Sequence, residues 1–182
     1  YKPTIKIEPD WEMVKLGEVC DLATGGTPRS TIEEYYENGN IKWLVSGDIH
    51  KGNIYDCDGR ITVKGMNSSN TKFLPINSVL IALNGQGKTR GTVAVLRTEA
   101  TCNQSLISIN PKNQKVLLPE YIYVVLKGMY QSIRNITGDN QRSGLSMRII
   151  KEIKIPNAPL SVQQEIVTQI EGEQEMVNGN KK

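Results

Sequence analysis

Apolar residues along the chain fall into short runs, separated by polar segments rich in glycine, asparagine and serine. Short runs of β-branched and apolar residues between turn-forming segments are typical of strands. They predict strands within residues 11–24, 41–49, 78–83, 92–96, 102–111 and 149–155. Repeated short strands with glycine-containing turns favour a fold built around a sheet.

From Pro119 the pattern changes to the spacing of an amphipathic helix. Apolar residues recur there every three or four positions, which places them on one helix face that packs against the sheet. The residues of this face are Ile122, Val125, Leu126, Met129 and Ile133. The helix is expected to end near Gly138, and a shorter acidic helix is predicted within residues 30–40.

A second helix is predicted beyond the prolines Pro156 and Pro159, each of which disfavours helix in the residue before it. Ser161 and Gln164 have the spacing of a capping box, and apolar residues continue at helical spacing after them. The whole pattern predicts an α+β domain over residues 1–157, with a mostly antiparallel or mixed sheet and packed helices. Residues 158–182 are expected to begin a long helix.

The string GQGKT at residues 85–89 matches the end of a nucleotide-binding P-loop. The full motif needs a further glycine at the position that Ala82 occupies. A P-loop must also open a helix, whose N-terminal amides hold the phosphates. Because residues 92–96 form an apolar, β-branched run, we expect a strand, a loop and a second strand here. An NTPase is the alternative.

Composition and charge narrow the class of protein. With 182 residues, of which 38% are hydrophobic, the chain can form the core of one ordinary domain. No membrane-spanning segment or signal peptide is expected. The three cysteines form no close pair and there is a single histidine, so we expect no disulfide framework, no metal site and a cytoplasmic protein.

The charge is unevenly distributed, although the net charge is only +3. Residues 59–98 contain basic side chains and no aspartate or glutamate, and residues 127–150 are also predominantly basic. Residues 1–40 and 160–182 are predominantly acidic. The basic block predicts a side of the domain that faces a polyanion, with ordinary solvation of surface loops as the alternative.

Polar loops are the candidates for a binding surface, and they comprise residues 25–30, 46–52, 84–91, 103–105 and 140–144. Their side chains are of the types that hold phosphates and read base edges. A loop-rich fold that needs glycine turns is the alternative. The predicted DNA-binding residues are Thr27, Arg29, Ser30, Ser46, Lys51, Lys72, Gln86, Lys88, Thr89, Arg90, Asn103, Gln104, Gln141, Arg142 and Ser143. Of these, Gln86, Lys88, Arg90 and residues of the neighbouring loops are candidates for reading bases.

The sequence offers few catalytic constellations. His50 is the only imidazole base for a hydrolytic triad, and no GxSxG elbow accompanies it. The acidic residues of PDWEMVK, at 9–15, are neighbours in sequence, as is usual for a solvated surface. A protein without catalytic activity is favoured. A nuclease, an NTPase and a protein-interaction module are the alternatives.

Segments spread over nearly the whole chain have the order and character of those in one known family. They are WEMVKLGEVCDLATGGTPRS, GNIKWLVSGDI, LPINSVLIALNGQGKTRGTVAVL, CNQSLISI and SGLSMRIIKEIKIPNAPLSVQQEIVTQIE. On these segments the chain resembles a target-recognition domain of a type I restriction-modification specificity subunit. The last segment is the most specific, although its turn NAPL, at 157–160, has one proline fewer than is typical of the family.

This resemblance implies sequence-specific binding of double-stranded DNA at one half of a bipartite target. Partner methyltransferase and restriction subunits would carry out adenine methylation and restriction. These partners would also hold S-adenosylmethionine and magnesium, so no cofactor is expected on this chain. The C-terminal helix would act as a spacer towards a second recognition domain, or join two copies as a homodimer. The chain then fits a fragment, a half-subunit or part of a methyltransferase–specificity fusion.

Overall fold

The computed structural model describes residues 1–85, 87–138 and 144–180. Its strands are β1 (Met13–Lys15), β2 (Cys20–Thr24), β3 (Ile41–Leu44), β4 (Asn53–Ile54), β5 (Arg60–Ile61), β6 (Val79–Ala82), β7 (Val93–Leu96), β8 (Thr101–Cys102), β9 (Leu106–Pro111) and β10 (Lys154–Pro156). Its α-helices are α1 (Leu16–Val19), α2 (Val63–Asn67), α3 (Pro119–Gly128), α4 (Tyr130–Asn135), α5 (Met147–Glu152) and α6 (Leu160–Gly179). Two 3-10 helices span Glu33–Tyr35 and Ser46–Lys51.

A five-stranded sheet in the order β2-β9-β6-β7-β4 forms the centre of the fold. Its strands pair antiparallel except at the edge, where β4 runs parallel to β7. A smaller sheet has the order β5-β3-β8, and its β3 and β8 are parallel. The antiparallel pair β1-β10 brings the two ends of the domain together. The predicted α+β class with a mixed sheet is therefore confirmed.

Side chains of the central sheet alternate between two hydrophobic cores. In β6, Val79 and Ile81 pack with the residues of α3, whereas Leu80 and Ala82 pack with the small sheet and the Ser46–Lys51 helix. A strand buried on both faces is a continuous apolar run, which is what residues 79–82 show. Each fully buried leucine or isoleucine contributes about 1.5–3 kcal/mol. The central strands therefore hold both outer layers in place.

The helices differ from the sequence prediction in three places. The single helix predicted from Pro119 to about Gly138 is divided at Met129, so that α3 and α4 are separate. The acidic helix predicted within 30–40 is a single 3-10 turn. The capping box of Ser161 and Gln164 is wrong, because α6 begins at Leu160 directly after Pro159 and has no side-chain cap.

The last strand is also shorter than predicted. The segment 149–155 was expected to be extended, but its first part belongs to α5 and only the strand β10 follows. The hydroxyl of Ser146 accepts a hydrogen bond from the amide of Ile149, which caps α5 and fixes the local helix. The domain boundary at residue 157 stays a prediction.

Candidate nucleic-acid interface

Strand register places the predicted loops at one end of the two sheets. β2 and β6 end where β9 begins, because Thr24 pairs with Ile107 and Ala82 pairs with Leu106. In the small sheet the parallel strands β3 and β8 end together, and three residues lead from β8 into β9. The loops 25–30, 46–52, 84–91 and 103–105 follow these ends, and we call the surface they form the recognition end.

Hydrogen bonds join the loops of the recognition end to one another. The hydroxyl of Thr27 donates to Oε1 of Gln104 at 2.7 Å, and both side chains are exposed. The amide of Asn103 donates to the carbonyl of Leu44 at 2.9 Å, directly before the Ser46–Lys51 helix. Loops that are far apart in sequence therefore meet at the end of the sheets.

The GQGKT segment lies in the connection of the antiparallel pair β6-β7, in which Ile81 faces Val93. Three glycines of the β6-β7 connection, Gly85, Gly87 and Gly91, have φ values of 122°, 62° and 83°, a region that other residues rarely adopt. A strand follows the loop, so the helix N-terminus that a P-loop needs is missing at this point. The prediction of a strand, a loop and a strand is confirmed.

Helix α4 holds this loop by its backbone carbonyls. Arg134 donates from Nη2 to the carbonyl of Gly87 at 2.9 Å and from Nη1 to that of Arg90 at 2.6 Å. The hydroxyl of Tyr130 donates to the carbonyl of Lys88 at 2.8 Å. Tyr130 and Arg134 could not be identified from the sequence as partners of the loop, because they lie more than 40 positions from it. The basic character of residues 127–150 was the only signal in the sequence.

Arg90 is buried in the structure, and its expected base-reading role stays a prediction. Its side chain is only 6% exposed, and Nη2 donates to the carbonyl of Gly138 at 3.1 Å. Arg90 lies where the chain enters the buried strand β7, so its guanidinium points into the protein. In this position the guanidinium helps to hold the end of the loop 84–91 against the segment that contains Gly138.

The other predicted residues fall into three groups. Arg29, Ser30, Lys72 and Lys88 are exposed, whereas Ser46, Thr89 and Asn103 are half-buried. The hydroxyl of Thr71 donates to the carbonyl of Cys102 at 2.6 Å, which places the neighbouring Lys72 close to this end. The predicted residues Gln86, Gln141, Arg142 and Ser143 lie outside the described residues.

Lys51 is engaged within the protein. Its ammonium is 2.8 Å from Oδ1 of Asp48 and donates to the carbonyl of Asp56 at 2.8 Å. The hydrogen bond with Asp48 raises the pKa of Lys51, so the charge is stabilised by its own carboxylate partner. Lys51 therefore offers a phosphate less net charge than Lys88 does.

We expect the substitution Arg134→Ala to lower the free energy of unfolding by about 2 kcal/mol, because two hydrogen bonds from a charged group are lost. DNA binding should weaken as well, since the freed loop 84–91 must then be ordered on binding. Denaturant titration and binding titration measure the two effects. Ser132→Ala, at an exposed position of the same helix, is the control. Equal stability of the two variants would contradict the role of Arg134.

Two further kinds of feature are absent from the described ranges. No group of three or more histidine, cysteine, aspartate or glutamate side chains there could hold a metal ion. Among the helices of those ranges, none is both long and apolar enough to cross a membrane.

The fold and the recognition end define a class of protein, an α+β binding domain whose polar loops from two sheets form one surface. Residues 8–171 match the family model described as the type I restriction modification DNA specificity domain. The chain belongs to this family. The predicted family is therefore confirmed by a match that covers most of the chain.

Relatives and solved structures agree with this assignment. The specificity subunit of the type I restriction enzyme MjaIX of Methanocaldococcus jannaschii is 29% identical over 182 residues, covering 97% of this chain and 41% of the relative. The EcoR124I/EcoR124II specificity subunit of Escherichia coli is 29% identical over 164 residues, covering 88% and 39%. The HsdS subunit of Thermoanaerobacter tengcongensis has a similar fold, with a TM-score of 0.72 at 22% identity, covering 98% and 41%. The chain thus spans about two fifths of the length of these relatives.

Proposed function

We propose that this chain binds double-stranded DNA sequence-specifically through the recognition end and reads one half of a bipartite target. The observation that carries the proposal is the convergence of polar loops from both sheets at one end, with Thr27 bonded directly to Gln104. Membership in a DNA specificity family supports the same conclusion.

Contacts to phosphate and to bases would come from different side chains. The exposed cations Arg29, Lys72 and Lys88 suit phosphate contacts, which fix the register of a protein on DNA without reading its sequence. Gln104 suits base reading, because an amide can make two hydrogen bonds to the edge of adenine in the major groove. The hydroxyl of Thr27 orients this amide through Oε1 and leaves Nε2 to donate to a base.

The chain itself would act as a non-catalytic module in the cytoplasm. Partner methyltransferase and restriction subunits would perform adenine methylation and cleavage and would hold the cofactors. α6 packs against α3, and its exposed residues Met176 and Val177, near the C-terminal end of the helix, offer apolar contacts to a second recognition domain or to another copy of the chain. These partners are those of the specificity family.

We expect binding to duplex DNA to weaken steeply with salt, because each phosphate neutralised releases counterions. The binding constant should fall by about 0.9 log units per tenfold increase in salt for each phosphate contact. A fluorescence titration at several salt concentrations measures this slope. Affinity should be modest for the isolated chain, since one module contacts half a site. An affinity that does not change with salt would contradict the proposed function.

A further inference from the structure

A basic cleft lies beside the recognition end, between the β6-β7 loop, helices α3 and α4, and the first residues of the chain. It has a volume of about 630 Å³. Its basic side chains are Lys2, His50, Lys88, Lys127 and Arg134, and no aspartate or glutamate of the described residues lines it. Only Lys88 was among the residues predicted from the sequence to bind DNA. The cleft joins basic residues from four separate segments of the chain.

Three of the cations in this cleft lack an acidic partner within the described part of the chain. Lys2, Lys88 and Lys127 form no ion pair there, whereas Lys15, Lys51 and Lys64 elsewhere each pair with a carboxylate. The side chain of Lys127 is half-buried, with Nζ 3.5 Å from Oε1 of Gln174, and burial lowers its pKa. Burial of a charged ammonium without a counter-charge costs free energy. An anion in the cleft would offset this cost.

The ring of Tyr130 contacts two of the cations in the cleft, Lys2 and Arg134. Nζ of Lys2 lies 4.6 Å from the ring centroid, and the guanidinium carbon of Arg134 lies 5.3 Å from it. Two cations beside one ring repel each other, and an anion between or beside them would offset this repulsion. The ring itself provides part of the compensation through cation–π contacts. This arrangement favours a ligand with negative charge along the length of the cleft.

The surroundings of the cleft limit the path of such a ligand. On one side it shares the loop 84–91 with the recognition end, and Nε2 of His50 lies 2.9 Å from the Thr89 hydroxyl. On the other side Lys127 also borders a second groove, which contains Glu171, Glu175 and the ion pair of Arg97 with Glu120. These carboxylates repel phosphate. The electrostatically favourable path therefore runs from the recognition end into the basic cleft and ends near Lys127.

We propose that the basic cleft holds the sugar–phosphate backbone of duplex DNA next to the bases that the recognition end reads. This inference rests on the proposed function and assigns phosphate contacts to Lys2, Lys88 and Lys127. A bound nucleotide is the competing ligand, because the GQGKT loop lines the cleft. The loop favours DNA, since the strand β7 follows it and no helix N-terminus is offered to a phosphate at this point.

The test compares Lys88→Gln, Lys127→Gln and Lys2→Gln in the full chain with Lys115→Gln. Lys115 is exposed and follows the opposite end of β9, so its substitution removes the same charge away from the cleft. Binding is measured against two duplexes of equal length and unrelated sequence, over a range of salt. Each cleft substitution should weaken binding to both duplexes by the same factor and lower the salt slope by about 0.9. Lys115→Gln should retain the slope of the parent chain.

Several results would overturn the inference. If all three cleft variants keep the salt slope of the parent chain, the inference is wrong and the proposed function still stands. Stabilisation of the parent by ATP but not of Lys88→Gln, with unchanged DNA binding, would identify a nucleotide site instead. Absence of salt-sensitive binding by the parent would overturn the proposed function and the inference together. Thermal unfolding checks the fold of each variant. If Lys127→Gln does not fold, the results for Lys88→Gln and Lys2→Gln, at exposed positions, determine the outcome.

Discussion

The substitution Gly25→Ala is expected to lower the free energy of unfolding by about 3 kcal/mol and to disrupt the recognition end. A Cβ at this position would lie 1.7 Å from the carbonyl oxygen of Cys102, which is backbone and cannot rotate away. The segments that contain Gly25 and Cys102 must therefore separate locally. This separation removes the hydrogen bond from the Gly26 amide to the Cys102 carbonyl and displaces Thr27 from Gln104. Denaturant unfolding and DNA titration measure both consequences.

Gly47→Ala is the matched control for this experiment. Gly47 also belongs to the recognition end, but a Cβ there would meet no atom within 4 Å. The substitution should leave the free energy of unfolding within about 0.5 kcal/mol of the parent value. If the two alanine variants unfold at the same denaturant concentration, the close approach of Gly25 to Cys102 does not constrain the loop.

The central strands could be predicted from the sequence because they are buried on both faces. Residues 79–82 and 93–96 are wholly apolar, and no helix could use such short runs without leaving apolar residues in water. The helix α3 was recognised for a related reason, since its apolar residues follow a spacing of three and four. In these elements the local pattern and the tertiary environment favour the same structure.

The segment 147–155 shows why other elements could not be predicted. Ile149 and Ile150 stand between charged residues, a pattern that fits either a strand or a turn of helix. The Ser146 cap and the burial of Ile150 stabilise the helix α5 in preference to a strand. The break at Met129 likewise leaves the apolar spacing intact, so that spacing does not reveal that α3 and α4 are separate helices.

The individual loops of the candidate site could be predicted from the sequence, but their common position at one end of the sheets could not. Polar and glycine-rich character marks each loop in the sequence, whereas their common position depends on the parallel pairing of β3 with β8. The burial of Arg90 depends on the carbonyl of Gly138, and the role of Arg134 depends on the path of α4. Such contacts join distant segments, and periodicity contains no information about them.

We expect Gln163→Ala to lower the free energy of unfolding by about 3 kcal/mol, because the amide of this fully buried residue satisfies three backbone groups. Oε1 accepts from the amide of Leu118 at 2.9 Å. Nε2 donates to the carbonyls of Val116 and Ala158 at 2.9 and 2.8 Å. Alanine leaves these groups without partners and leaves a cavity as well. Denaturant unfolding measures the loss.

Gln164→Ala is the control for Gln163→Ala, since it removes the same side chain from the next, exposed position of α6. It should change stability by no more than about 0.5 kcal/mol. Hydrogen exchange should separate the two variants further, with faster exchange at the Leu118 amide only when Gln163 is replaced. Equal exchange there in both variants would contradict the anchoring role. Gln163 fixes the first turn of α6 to the segment before α3, so in the proposed function it sets the direction of the spacer helix relative to the DNA-binding domain.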